Sequence, residues 1–129
     1  MKQSQIAAQL YTLRDFTKTP ADIASTMKKV KKIGYDAVQC SALGPIEATE
    51  LKKIVDGEGL TICATHTSYE TMRDNPQLVI DDHNLWGCKH AAIGGLPGEY
   101  RTGETGYIRF AQEASQVAKQ LAEGGLVFS

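Results

Sequence analysis

Four polar side chains interrupt otherwise apolar stretches of this chain, and they are the ones placed to do chemistry. Gln9 and Tyr11 occur within Ile6–Leu13, Gln39 lies inside Ala37–Cys40, and His66 follows Leu60–Ala64 and Thr65. A buried amide needs hydrogen-bond partners, so Gln39 either meets a ligand or closes a local network. His66 is placed to reach a ligand oxygen, or else it fixes a loop. Gln9 and Tyr11 pose the same alternative. Carboxylates, by contrast, fall elsewhere. Asp22, Glu47, Glu50, Asp56, Glu58, Asp81, Asp82, Glu113 and Glu123 map to helices or helix ends, and the others to loops or the approach to a strand. A hard divalent cation needs several converging oxygens, and proton abstraction beside a carbonyl needs a positioned base. Neither set can be assembled from these positions. His83, Cys88 and His90 lack paired metal-ligand spacing. Thr12–Thr19 lacks the glycines of a phosphate loop, and no G-x-G-x-x-G follows any strand.

These side chains are carried by alternating strands and helices. Thr19-Pro20-Ala21-Asp22 opens a helix with a capping hydroxyl, a proline at the first helical position and an acid three residues after the cap. Ile23, Met27 and Val30 then recur at helical spacing, and Gly34 ends the run. A second helix is predicted from about Glu47 to Gly59, and a third from Asn75-Pro76 to Gly87. The fourth runs from Tyr107 along Phe110, Ala114, Val117 and Leu121 to Gly124. Between them lie the short apolar runs Ile6–Leu13, Ala37–Cys40, Leu60–Ala64, Ala91–Ile93 and Leu126–Phe128. Such strands alternating with amphipathic helices predict a parallel sheet covered by helices, with sites at the carboxyl ends of the strands. The fourth strand ends in Gly94 and Gly95, which admit a close approach.

The chain has 129 residues with 14 basic and 15 acidic side chains and a net charge of −1, which offers no basic field for nucleic acid or anionic membrane. The expected partner is a small molecule or another protein chain. Three cysteines make no disulfide framework, and Cys40 and Cys63 read as small buried hydrophobes. Met1 runs into polar Lys2–Gln5, which argues against a signal peptide, and no apolar run approaches the ~20 residues of a membrane span. A reduced, cytoplasmic location is expected.

Ala8-Gln9-Leu10-Tyr11-Thr12-Leu13-Arg14-Asp15 resembles the first strand of the sugar phosphate isomerase/epimerase family, the xylose isomerase-like TIM barrels. The resemblance continues through Ile33-Gly34-Tyr35-Asp36-Ala37-Val38-Gln39, through Ala64-Thr65-His66, and through the long helix into Gly125–Ser129. It implies four βα units plus a fifth parallel strand, the N-terminal half of a (β/α)8 barrel, as a single domain over residues 1–129. It also implies that Gln9, Tyr11, Gln39 and His66 line a sugar or polyol pocket. The family interconverts sugars by proton transfer beside a carbonyl, with a divalent metal (Mn, Mg, Zn or Co). The resemblance places the metal ligands and the acid/base pair from the fifth strand onward, so this chain by itself is expected to hold no metal and to be inactive.

A full barrel takes about 250 residues and closes its sheet edges. Half of one leaves two open edges and one face unmatched. Self-association through that face is one expected outcome, and an open flavodoxin-like sheet with helices on both sides is the alternative architecture. A non-enzymatic half-barrel whose role is structural self-association is the alternative function.

Overall fold

A computed structural model of the chain describes residues 6–129, so the reading of Met1–Gln5 lies outside the described residues. Five short strands form one sheet: β1 (Ala7–Gln9), β2 (Ala37–Cys40), β3 (Thr61–His66), β4 (His90–Ala92) and β5 (Val127–Phe128). Their order is β1-β2-β3-β4-β5, and every adjacent pair is parallel. That order decides between the two architectures. A flavodoxin-like sheet reverses direction after its first crossover and runs 2-1-3-4-5. Here each right-handed crossover steps the same way, which lays the helices along one side, as in an arc of a barrel.

The helices are α1 (Pro20–Ile33), α2 (Ala48–Gly57), α3 (Tyr69–Asp74), α4 (Pro76–Trp86) and α5 (Glu104–Glu123). Helix α1 starts where the sequence predicts. Thr19 Oγ1 accepts from the Asp22 backbone N–H, the Asp22 carboxylate accepts from the Thr19 N–H, and Gly34 ends the helix at φ 116°. Asn75 caps α4 through Leu78 N–H, with Pro76 at its first position. Two local features differ from the sequence reading. The first strand stops at Gln9, and Leu10–Phe16 coils into a 3-10 segment that buries Leu10 completely. Thr12 Oγ1 donates to Gln9 O across that turn. Helix α3 was hidden as a loop, because its six residues are too few to show a helical period.

The core lies between sheet and helices in two parts. One is aliphatic, with Leu10, Ile23, Met27, Val38, Leu51 and Ile62 joining β1–β3 to α1 and α2. The other is aromatic, with Tyr69, Tyr100 and Phe110 packed ring against ring at centroid separations of 5.1–5.8 Å under β4 and α5. Strand alternation turns Val38, Ile62 and Ala91 toward these cores. The opposite face of the sheet, the inner side of the arc, therefore carries small and polar side chains such as Ala37, Gln39, Thr61 and His90. Large exposed apolar side chains are spread over the surface: Ile6, Tyr11, Phe16 and Ile33 on the β1 side, Leu78 and Leu85 on α4, and Tyr107, Ile108 and Val127 on the β5 side. No helix among the described residues is long and apolar enough to cross a membrane.

Candidate functional site at the ends of β2 and β3

A single extra residue in β3 determines where His66 points. Val38 pairs with Ile62, but Gln39 pairs with Ala64, so the register slips by one residue at Cys63. In an unbroken strand, Ile62 and His66 would share a face, because side chains alternate with period two. The bulge resets the alternation. Thr65 turns back to the helices and is 4% exposed, while His66 comes out on the inner face beside Gln39. The Cys63 thiol donates to Val38 O at 3.3 Å beside the bulge.

His66 is held from both sides. Its Nε2 lies 3.0 Å from Gln39 Nε2, and its Nδ1 lies 2.9 Å from Ser41 Oγ. An amide nitrogen only donates, so Nε2 accepts, the ring proton sits on Nδ1, and Ser41 Oγ receives it. Gly94, at the end of β4, explains why a larger residue is absent there. A Cβ at that position would sit 3.3 Å from His66 Nδ1, so the glycine leaves room for the imidazole. The close approach expected at Gly94 is that of a side chain of the protein itself.

Gln9 pairs in register with Gln39, which sets the two amides on neighbouring strands of one face. Tyr11 is different. It sits on the 3-10 segment, half exposed, with the Arg14 guanidinium 4.6 Å over its ring. The structure thus brings Gln39 and His66 into contact, puts Gln9 next to Gln39, and places Tyr11 beyond the strand end.

A cavity of about 310 Å³ opens beside this network between the β2–α2 loop, the end of β3 and helix α4. That is near the lower end of the usual size for small-molecule sites, about 300–1,000 Å³. Ser41, His66, Thr67 and Asp82 supply polar groups, and Leu43 and Trp86 are among its apolar walls. Trp86 Nε1 is tied to Ala48 O at 2.9 Å, which fixes one wall. Asp82 was missed by sequence reasoning, which placed it on a helix and away from any strand end. Its position four residues before Trp86, hence on the same helix face, was the available signal. Loss of solvent around its carboxyl raises its pKa, the neighbouring His83 lowers it, and the negative charges of Asp81 and Glu47 raise it further.

Behind the strand, a second histidine is fully used by the protein. His83 is 1% exposed, its Nδ1 donates to Val79 O at 2.7 Å, and its Nε2 accepts from Thr65 Oγ1 at 2.7 Å. Thr67 Oγ1 completes the chain at 3.1 Å from Thr65 Oγ1. Burial lowers the pKa of His83, against opposing contributions from the Val79 carbonyl and Asp82. Cys88 and His90, its neighbours in sequence, do not join it. Burial pushes the Cys40 thiol up to about 12, helped by Cys88 and Cys63, which makes it a poor ligand or nucleophile. No group of three or more histidine, cysteine or carboxylate side chains able to hold a metal occurs among the described residues.

No protein-family model and no curated protein matches the sequence. Solved structures do match in fold. A sugar phosphate isomerase/epimerase from Parabacteroides distasonis superposes with a TM-score of 0.76 at 20% identity, over 95% of this chain and 52% of that one. A xylose isomerase domain-containing protein from Salmonella typhimurium gives 0.70 at 8% identity, over 99% and 49%. A xylose isomerase-like TIM barrel protein from Mycobacterium smegmatis, solved in complex with magnesium, gives 0.66 at 11% identity, over 99% and 56%. The chain thus has the fold of half a TIM barrel, and it spans about half the length of the structures it matches.

Proposed function

We propose that this chain is the polyol-binding half of a barrel of the sugar isomerase/epimerase kind, with Gln9, Gln39 and His66 holding substrate hydroxyls. The observation that carries the reading is the hydrogen-bonded Gln39–His66–Ser41 network at the strand ends. Each member can exchange an internal hydrogen bond for one to a ligand hydroxyl. A set of amide, imidazole and hydroxyl that both donates and accepts suits vicinal hydroxyls. Tyr11, on the 3-10 segment with Arg14 over its ring, would contact a substrate only from the side of β1.

A metal is expected for a complete barrel of this kind, and one structural relative is a magnesium complex. The residues present here do not fit one. Both ring nitrogens of His66 already have partners, and Asp82 is the sole carboxylate lining the cavity beside it. Convergent carboxylates of the sort that hold magnesium are lacking among the described residues. No proton transfer is therefore assigned to this chain. The metal and the acid/base pair would come from the other half of a barrel, and the 129-residue chain alone would bind without turnover.

The test is a titration of the purified chain with an aldose, a ketose and a cyclic polyol, followed by amide and imidazole NMR shifts. Millimolar binding, about −4 kcal/mol, is expected, with the largest shifts at Gln39, Ser41 and His66 and with loss of binding in His66→Ala. Shifts elsewhere, or none, would remove the polyol reading. Turnover with added Mn²⁺ or Mg²⁺ would remove the assignment of the catalytic groups to another half.

A further inference from the structure

The cavity beside His66 has braced walls and one charge that no cation of the described residues answers. The β2–α2 loop, which forms one wall, is held at both ends. Gly44 N–H donates to Thr17 O at 2.8 Å, and the approach is so close that a Cβ at Gly44 would sit 1.9 Å from Lys18 O. Further on, Trp86 Nε1 holds Ala48 O. Between these anchors Ala42, in the cavity wall, takes a left-handed backbone at φ 55°, alone among the described non-glycine residues. A side chain disfavours that conformation, and strain of this sort gathers where a loop shapes a ligand site.

The charge belongs to Asp82. Its carboxylate makes no hydrogen bond or ion pair among the described residues. The adjacent His83 is committed elsewhere, to Val79 O and Thr65 Oγ1. The two carboxylates that act on Asp82, those of Asp81 and Glu47, have its own sign. One helical turn on, Trp86 lines the same cavity, and because its N–H is used by Ala48 O, it offers a ligand its ring.

These groups select by charge. An anion would meet Asp82 with Asp81 and Glu47 nearby. A bare divalent cation needs several converging oxygens, and Asp82 is the sole carboxylate in the lining. A neutral polyol satisfies Ser41, His66 and Thr67 but leaves the carboxylate unanswered. An ammonium answers it, because its N–H donors reach a carboxylate and a hydroxyl oxygen together, and an indole ring attracts a cation within about 6 Å of its centre. Leu43 and Ile46 make the rest of the wall apolar, which suits a carbon skeleton better than a hydrated ion.

We propose that this cavity binds the ammonium of an amino sugar or amino polyol: Asp82 pairs with the nitrogen beside the Trp86 ring, and Ser41 and His66 take the neighbouring hydroxyls. The hydroxyl contacts rest on the polyol reading, whereas the ammonium contacts stand without it.

The experiment titrates the chain with D-glucosamine, N-acetyl-D-glucosamine and D-glucose near neutral pH, followed by amide shifts and by the indole N–H signal of Trp86, the chain's single tryptophan. Glucosamine is expected to bind about three- to tenfold more tightly than the two uncharged sugars, the range of a partly solvated charge pair, and to move the indole signal. That advantage should vanish in Asp82→Asn and persist in Asp81→Asn, which removes the same charge from the same helix outside the cavity, with circular dichroism confirming that both fold. Equal affinity for the three sugars overturns the ammonium site and leaves the polyol reading standing. Equal loss in the two variants overturns the pairing and assigns the preference to the general charge of α4. Glucosamine shifts at Asp82 and Trp86 with none at Gln39 or His66 uphold the ammonium site and remove the polyol reading. Absence of binding by all three sugars overturns both.

Discussion

Two histidines serve the end of β3 from opposite sides, and the contrast between them separates what stabilises this molecule from what it can offer a ligand. His66, on the inner side, touches an amide and a hydroxyl whose hydrogen bonds are exchangeable, and it borders a cavity. His83, on the helix side, is sealed at 1% exposure between a threonine hydroxyl and a main-chain carbonyl. Consecutive residues of one strand, Thr65 and His66, belong to the two different networks. Both rings have a partner at each nitrogen, so the number of hydrogen bonds does not distinguish them. Solvent access and the replaceability of their partners do.

The sharpest way to break the comparison is to remove each ring. His83→Ala should cost about 3 kcal/mol, from an internal void and the lost hydrogen bonds of the ring to Thr65 and Val79. His66→Ala should cost under about 1 kcal/mol, since Gln39 and Ser41 can turn to water or to each other. Urea denaturation of both variants measures this. Equal losses would erase the distinction between structural and available histidine.

A second effect, somewhat smaller, is a pH dependence belonging to His83 alone. Its folded-state pKa is lowered, first by burial, so between the folded value and the ordinary histidine value of about 6.5 the unfolded chain binds more protons. Stability therefore rises with pH through that window. The contribution is fully present above the unfolded value and is lost as pH falls from there through the folded one. Denaturation midpoints between neutral and mildly acidic pH should fall in the parent and flatten in His83→Gln. An unchanged slope in the variant would place the titration elsewhere.

The sequence made the alternation of elements legible because its punctuation is strong: Thr19-Pro20 with Asp22, Gly34, Asn75-Pro76 and Gly87 all act as read. Sheet order was not legible from periodicity, and the half-barrel order that the structure shows was implied only by the family resemblance of the strand phrases. Amphipathic helices and apolar strands look alike in a barrel arc and in a doubly wound sheet, and tertiary packing alone separates them. At the site, His66 and Gln39 stood out as polar groups in apolar strands, but the reason they meet is the extra residue at Cys63, and a bulge leaves no mark in composition. Tyr11 was read as part of a strand because Ile6–Leu13 is a mostly apolar run. The chain turns at Leu10, where burying that side chain outweighs continuing the strand. Asp82 escaped because a helical carboxylate is ordinarily solvated, and its place beside the cavity depends on how α4 lies against the β2–α2 loop.

Smaller still is the effect of Gly94→Ala, which acts on one histidine and not on the other. The new methyl would meet the His66 ring 3.3 Å from Nδ1 and tilt it away from Ser41. The expected stability cost is about 0.5–1 kcal/mol, roughly one hydrogen bond. The imidazole nitrogen shifts of His66 should move while those of His83 stay fixed. Movement of both would show the two networks to be coupled through Thr65.

The smallest effect sharpens the comparison most finely, because it changes a charge next to His83 without touching either ring. Asp82 has a raised pKa from loss of solvent, so its ionised form is mildly disfavoured in the folded chain, and that penalty is present once pH rises through the folded value. The carboxylate keeps considerable solvent contact, so screening leaves a gain of no more than about 0.5 kcal/mol for Asp82→Asn near neutrality. The same carboxylate also opposes the lowering of the His83 pKa. Its removal should push that pKa lower still and carry the His83-dependent loss of stability further into acid. The variant is therefore expected to be slightly more stable than the parent at neutral pH and to lose more on acidification. A variant less stable than the parent at neutral pH would mean that Asp82 is held by a favourable interaction, and that the cavity carboxylate is structural in the way His83 is.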